Sequence, residues 1–228
     1  LDELLAGCKI HWFGMGMPGL EPELSAAIER DERLVDALAA MRRLPKISAA
    51  TLARVVARVD HPEAEVRQQA LYVIEELTAD PAATARPFLR DPEPGPRRAA
   101  LDAVCKGDPA DWIGDARAML DDPEGSIATA ALRKLDDAKL LTIADLLPRL
   151  HDPRDGVAED AAYRFAGLAH RGIAPDQAAT FTTAAIALLD HPRPRVSMYG
   201  LGVLAHVDAP VLVERLWALA RGDEAILR

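Results

Sequence analysis

Five prolines, each preceded by an aspartate, a histidine or both, recur along this chain at nearly constant spacing. They stand in Asp60-His61-Pro62, Asp91-Pro92, Asp122-Pro123, His151-Asp152-Pro153 and Asp190-His191-Pro192. The proline-to-proline steps are 30, 31, 30 and 39 residues. A period in that range belongs to stacked supersecondary units, each unable to bury its apolar face alone. It excludes one closed core as the organising principle.

Counting from each proline exposes the pattern inside a unit. Three residues before it stand Val59, Leu89, Leu120, Leu150 and Leu189. Four after it stand Val66, Pro96, Ile127, Val157 and Val196; eight after, Ala70, Ala100, Ala131, Ala161 and Gly200; twelve after, Ile74, Val104, Leu135, Phe165 and Leu204. Offsets of four, eight and twelve put side chains on one face of one helix. The uniformly small residue at the middle offset predicts a close approach of neighbouring helices. The stretch before each proline reads as another helix, with expected caps at Ser48, Asp80-Pro81, Asp108-Pro109, Thr142 and Asp208. A capping oxygen satisfies orphan helix donors, and proline suits the first helical position. Each unit is therefore helix, short turn, helix.

The run Leu146-Leu147-Pro148-Arg149-Leu150-His151-Asp152-Pro153 with Val157, and Asp60-His61-Pro62 with Val66-Arg67 and Ala70-Leu71, resemble HEAT repeats. Pro148, and Pro87 at the same offset, match the proline that kinks the first helix in such repeats. The resemblance covers roughly residues 48–228. It implies an all-α, right-handed α-α superhelix (a HEAT-like, armadillo-like solenoid) of about five helix pairs, with residues 1–47 as an N-terminal helical cap or degenerate repeat. It also implies a ladder of turn aspartates and early arginines, matched by Asp60/Arg67 and Asp91/Arg97. Ala128, Ala158 and Ser197 occupy the arginine column later, where the ladder is expected to lapse.

Two regions depart from the repeat. The 39-residue step contains His170-Arg171-Gly172-Ile173-Ala174-Pro175, a longer connection of the kind that maps to one edge of a solenoid. Residues 21–44 read as one or two amphipathic helices through Leu24, Ile28, Leu34, Val35, Leu38 and Met41. Residues 8–19 are apolar and glycine-rich, a hydrophobic cap or a docking arm.

Composition narrows the function. The formal charge is −9, which works against generic binding to phosphate backbones or an anionic membrane surface. Two cysteines, Cys8 and Cys105, are too few for a disulfide scaffold and fit a reducing, cytoplasmic setting. No run of 18 or more apolar residues is present. Cys8 and His11, with Met15 and Met17 nearby, lack the further ligands a metal site needs. His61, His151 and His191 follow the repeat period. Turns one repeat apart are separated by roughly 8–10 Å, so these read as solvated turn residues that cannot jointly hold an ion. No His-Glu pair occurs, against the HEAT-like hydroxylases that bind iron. Trp112 with Asp111 and Asp115 invites comparison with HEAT-like DNA glycosylases, which need a cationic concave surface. Phycobilin lyases share the repeat type, but nothing here marks a bilin pocket. Nucleophile-elbow and phosphate-loop motifs are absent, and Gly14-x-Gly16-x-x-Gly19 lacks the strand–helix context of a dinucleotide site.

The second-helix positions pointing away from the core remain. Six after each proline are Gln68, Arg98, Thr129, Glu159 and Met198; ten after are Tyr72, Asp102, Arg133, Tyr163 and Gly202. These rows are expected to line a concave groove, and Tyr and Arg are enriched at binding hot spots. The sequence thus points to a non-enzymatic, cofactor-free scaffold or regulatory module holding a protein or peptide partner. The alternative is a DNA-repair glycosylase or lyase-type enzyme using the same groove, with a cationic patch at Arg97, Arg98 and Arg133.

Overall fold

A computed structural model describes residues 19–207. Among the described residues every regular element is a helix. They form two compact units that divide between Met119 and Leu120. In unit one the helices are α1 (Leu20–Glu29), α2 (Leu34–Met41), α3 (Ala49–Val56), α4 (Ala64–Leu77), α5 (Ala82–Ala85), α6 (Pro94–Val104) and α7 (Pro109–Met119). Unit two holds α8 (Gly125–Asp137), α9 (Ile143–Leu146), α10 (Val157–Arg171), α11 (Ala178–Leu188) and α12 (Pro194–Leu204). Within unit one α4 lies between α2 and α6; within unit two α10 lies between α8 and α12. Second helices of successive pairs are therefore neighbours, the packing that defines an α-α solenoid.

The proline frame locates the core. All the residues named above at offsets four, eight and twelve are buried, from Val66, Ala70 and Ile74 in α4 to Val196, Gly200 and Leu204 in α12. The column three before the proline is buried at Val59, Leu89, Leu120 and Leu150. At the last repeat Leu188 is the buried residue and Leu189 is half-buried, so the longer connection shifts that helix by one position. Phe165 stacks on Phe181 with centroids 4.9 Å apart, joining α10 to α11. The small residue at offset eight has its reason at Gly200. A Cβ there would lie 2.8 Å from the Ala185 carbonyl oxygen and 2.9 Å from Leu188 Cβ.

Local chemistry sets the helix ends. The Ser48 hydroxyl accepts from the Thr51 N–H, and Thr142 forms a reciprocal capping box with Asp145. Asp108 accepts from the Ala110 N–H. Asp80 makes no such cap, since α5 begins after Pro81 without a side-chain acceptor; Asp208 lies outside the described residues. Both kinking prolines act as expected. After one α-turn, α5 and α9 tighten into 3-10 helix at Arg86–Arg90 and Leu147–Arg149, which carry Pro87 and Pro148.

Each of the five turns is closed the same way. The residue immediately before the proline accepts a hydrogen bond from the backbone N–H of the residue immediately after it. The acceptors are His61 (3.1 Å from Glu63 N), Asp91 (2.9 Å), Asp122 (2.8 Å), Asp152 (2.9 Å) and His191 (3.1 Å from Arg193 N). This corrects the reading of the histidines as merely solvated. His61 and His191 stand in for the aspartate of an Asx turn, with Nδ1 as the acceptor.

The arginine ladder also differs from expectation. Arg67 grips Asp91 with two hydrogen bonds of 2.8 and 2.7 Å and caps the carbonyls of His61 and Pro62. Arg97, at the same offset, caps the Asp91 and Pro92 carbonyls in the same way. In unit two, where the arginine column is empty, Arg154 takes over from within the turn. It binds Asp152 and reaches the carbonyls of Asp122 and Leu120. The ladder changes residue instead of lapsing.

Candidate functional site

The outward faces of the second helices have different chemistry in the two units. On α4, Tyr72 lies beneath the Arg42 guanidinium, 4.4 Å from its ring centroid, a cation–π contact. Arg42 is also within 3.7 Å of Glu76. Gln68 reaches the Tyr72 hydroxyl at 3.5 Å and lies over Gly95 at the start of α6. On α6, Arg98 and Asp102 pair at 3.0 Å one turn apart. All four residues are half-buried. This face is tied together by its own side chains.

In unit two the sequence-derived positions are more open. The Thr129 hydroxyl donates to the Ser126 carbonyl, and Arg133 is exposed on α8. Glu159 accepts from Arg195 at 2.8 Å. Tyr163 is 56% exposed and Met198 63%. Beneath them Arg164 is buried, bridging Asp160 at 2.9 Å and Asp136 of α8 at 2.7 Å. Burial disfavours its charge, but the two carboxylates outweigh that and hold its proton more tightly than usual.

Residues of α10 meet residues of α12 and of the turn that follows it at a constant separation. Glu159 pairs with Arg195, the Tyr163 and Tyr199 rings meet edge to face at 5.7 Å, and the His170 and His206 rings do so at 5.4 Å. Each separation is 36 residues, whereas the prolines are 39 apart. The proline frame had aligned Glu159 with Met198 and Tyr163 with Gly202. The actual neighbours lie almost one helical turn earlier on α12. Two residues absent from the sequence-derived rows thereby join this face, Arg195 and Tyr199; Leu201, 37% exposed, lies one turn beyond Met198 on α12. The signal in the sequence was the repetition of Tyr163 at Tyr199 and of His170 at His206, each 36 residues on.

The residues singled out for other chemistries have structural roles. Trp112 is 3% exposed, and its indole N–H donates to the Gly107 carbonyl at 3.1 Å. Asp115 is held by Arg86 at 2.8 Å. Arg97 is buried in its turn and Arg98 is paired, so neither offers a free cation to a phosphate. Among the described residues no group of three or more His, Cys, Asp or Glu converges for a metal ion. Cys8 and His11 lie outside the described residues. Among the described residues no helix is long and apolar enough to cross a membrane. Two surface grooves lie between successive first helices. One, of about 490 Å3, runs between the α5 3-10 turn and α7 in unit one. The other, of about 500 Å3, runs between the α9 turn and α11 in unit two, walled by Leu147, Leu150, Ala184 and Ala187 with His151 at its edge.

No family model matches the chain, and no curated protein does. Solved structures similar to it include a designed armadillo repeat protein in complex with a (KR)4 peptide. That match has 15% identity and a TM-score of 0.48, and covers 91% of this chain and 99% of the designed one. A crystal structure of an engineered protein matches at 14% identity and a TM-score of 0.46, covering 90% of this chain and 96% of that one.

Proposed function

We propose that the chain is a non-enzymatic protein- or peptide-binding module whose contact surface is centred on α10 and α12. One observation carries this reading. Of the four large apolar or aromatic side chains exposed among the described residues, three (Tyr163, Met198 and Leu201) lie on this one face. Single exposed hydrophobics are ordinary, whereas a cluster with a charged rim is what binding surfaces present. Tyr199 adds aromatic area, and the Glu159–Arg195 pair forms the polar edge. The α4 and α6 face, whose Tyr72, Arg98 and Asp102 are already paired, supports the site less strongly. Arg133 and Thr129 flank it on α8.

The test is a photo-crosslinking residue placed at position 163 or 201 of the full chain, with position 183 on α11 as the outer-face control. Tagging of one common protein from 163 and 201, but not from 183, is the expected result. Tyr163→Ala with Met198→Ala should weaken that partner's binding at least about fivefold per anchor without changing helicity. Equal tagging from all three positions, or none, would remove the assignment.

A further inference from the structure

Three of the five turns are closed by a carboxylate and two by an imidazole, and in unit two that imidazole lies against another. The His191 and His151 rings have centroids 5.3 Å apart and are tilted by 35°. Turn spacing keeps the two backbones apart, but the side chains lean together across the gap between repeats. We propose that the His191 turn is an acid-sensitive latch that helps hold α12 in place against α10 at neutral pH and loosens it on mild acidification. This concerns the fold of unit two and stands independently of the binding surface.

The geometry makes the latch depend on neutral imidazole. Nδ1 of His191 accepts the Arg193 N–H at 3.1 Å, so the neutral ring carries its proton on Nε2. A second proton removes the lone pair that makes this bond. It also places a positive charge beside His151 and Arg193. A carboxylate acceptor, as at Asp91 and Asp152, keeps its function down to the acid range of carboxylates. The imidazole loses it in the range where histidine titrates.

The charged surroundings offer the added proton little compensation. From the preceding turn come His151, Asp152, Asp155 and Arg149. Asp152 is bound by Arg154, Arg149 by Asp121, and Asp155 lies 3.8 Å from Arg193. The His191 turn itself contributes Asp190 and Arg193, and α12 contributes Arg195, which binds Glu159. The α11 residues that line the groove with His151, from Ala179 to Ala187, carry no charge. Burial first, then the neighbouring His151, push the His191 imidazole below its usual value. A depressed folded-state value means that the unfolded chain takes up the proton first. The stabilisation is complete above about pH 6.5 and is lost as the pH falls below it. The same direction applies to Asp152, but its window lies below the ordinary carboxylate value of 3.8, so the two do not overlap.

Native-state hydrogen exchange on the full chain at pH 7.5 and 5.5, corrected for the chemical exchange rate, tests the latch. In the wild type, α11 and α12 should lose protection about threefold to tenfold at pH 5.5, because the opened state binds the proton more tightly than the closed one. His191→Asp converts the turn to the carboxylate type of its three counterparts and should keep its protection at pH 5.5. His151→Gln should reduce the loss by removing the facing ring. Equal protection of wild-type α12 at both pH values would overturn the proposal, as would a His191→Asp chain as acid-sensitive as the wild type. A proton NMR titration of the wild type gives a reading that needs no variant to fold. His191 must titrate below 6.5, and a value at or above that also overturns the latch.

Discussion

Gly200 and Gly202 sit two residues apart on α12 and should respond oppositely to the same substitution. A Cβ at Gly200 would overlap the Ala185 carbonyl oxygen of α11, while one at Gly202 meets nothing within 4 Å. Gly200→Ala must push α12 off α11 and should cost about 1–3 kcal/mol in urea unfolding. Gly202→Ala relieves the helix penalty of glycine and should stabilise by up to about 1 kcal/mol. The Arg67–Asp91 pair makes a second residue-scale case. Both side chains are nearly buried, at 11% and 5% exposed, so removing one strands the other away from water. Asp91→Ala should cost about 3–5 kcal/mol, measured by the same unfolding experiment. Burial alone would raise the Asp91 carboxyl, but the Arg67 guanidinium and the Glu93 N–H outweigh it and hold it below 3.8. The stabilisation from this carboxylate is therefore present above that value and disappears as the pH falls through the lower folded-state one. In Arg67→Met the acid side of the unfolding curve should become shallower, because the main opposing charge is gone.

At the scale of the element, α9 is a single turn stopped by Pro148, so its start matters more than that of a long helix. Thr142→Ala removes the hydroxyl half of the capping box, the acceptor for the Asp145 N–H, and leaves the backbone N–H of residue 142 donating to the Asp145 carboxylate. It should lower stability by about 1 kcal/mol, with faster exchange confined to the amides at 143–146. Such elements were legible in the sequence because their causes are local. The proline kinks, the caps at Ser48 and Thr142, and the buried faces at offsets four, eight and twelve all depend on nearby residues. What was not legible depended on how one element lies on the next. The proline frame assumed that equal offsets meet. Instead α12 is displaced relative to α10, and Tyr163 found Tyr199 where Gly202 had been expected. Similarly, an empty arginine column said nothing about Arg154, which reaches the Leu120 and Asp122 carbonyls from a different position in the turn. The histidine pair escaped for the same reason, since turn spacing fixes where backbones sit and leaves the side chains free to close several ångströms. The exposed face on α10 and α12 was therefore half visible in advance: Tyr163, Met198 and Glu159 from the rows, but not Tyr199, Leu201 or Arg195.

For the whole molecule, the consequence of repeat construction is that stability is distributed among local cores. Unit one buries Leu71, Ile74 and Leu101; unit two has its own set in Leu132, Leu135 and Phe165. In stacked repeats stability is close to a sum of unit and nearest-neighbour terms, so damage should stay near its origin. Phe165 is completely buried in unit two against Phe181. Truncating it to Ala removes that stack and should cost about 3–5 kcal/mol. A molecule with one cooperative core would spread this loss over every amide. In a repeat molecule it should fall on α10, α11 and α12, while α4 and α6 keep nearly wild-type exchange rates. Urea unfolding of Phe165→Ala should then lose its single transition; with Trp12 and Trp217 replaced by Phe, the fluorescence change from Trp112 in unit one should trail the overall loss of helicity. Coincident transitions, with uniformly faster exchange throughout, would show instead that the chain unfolds as one body and that its repeats do not act as separable units.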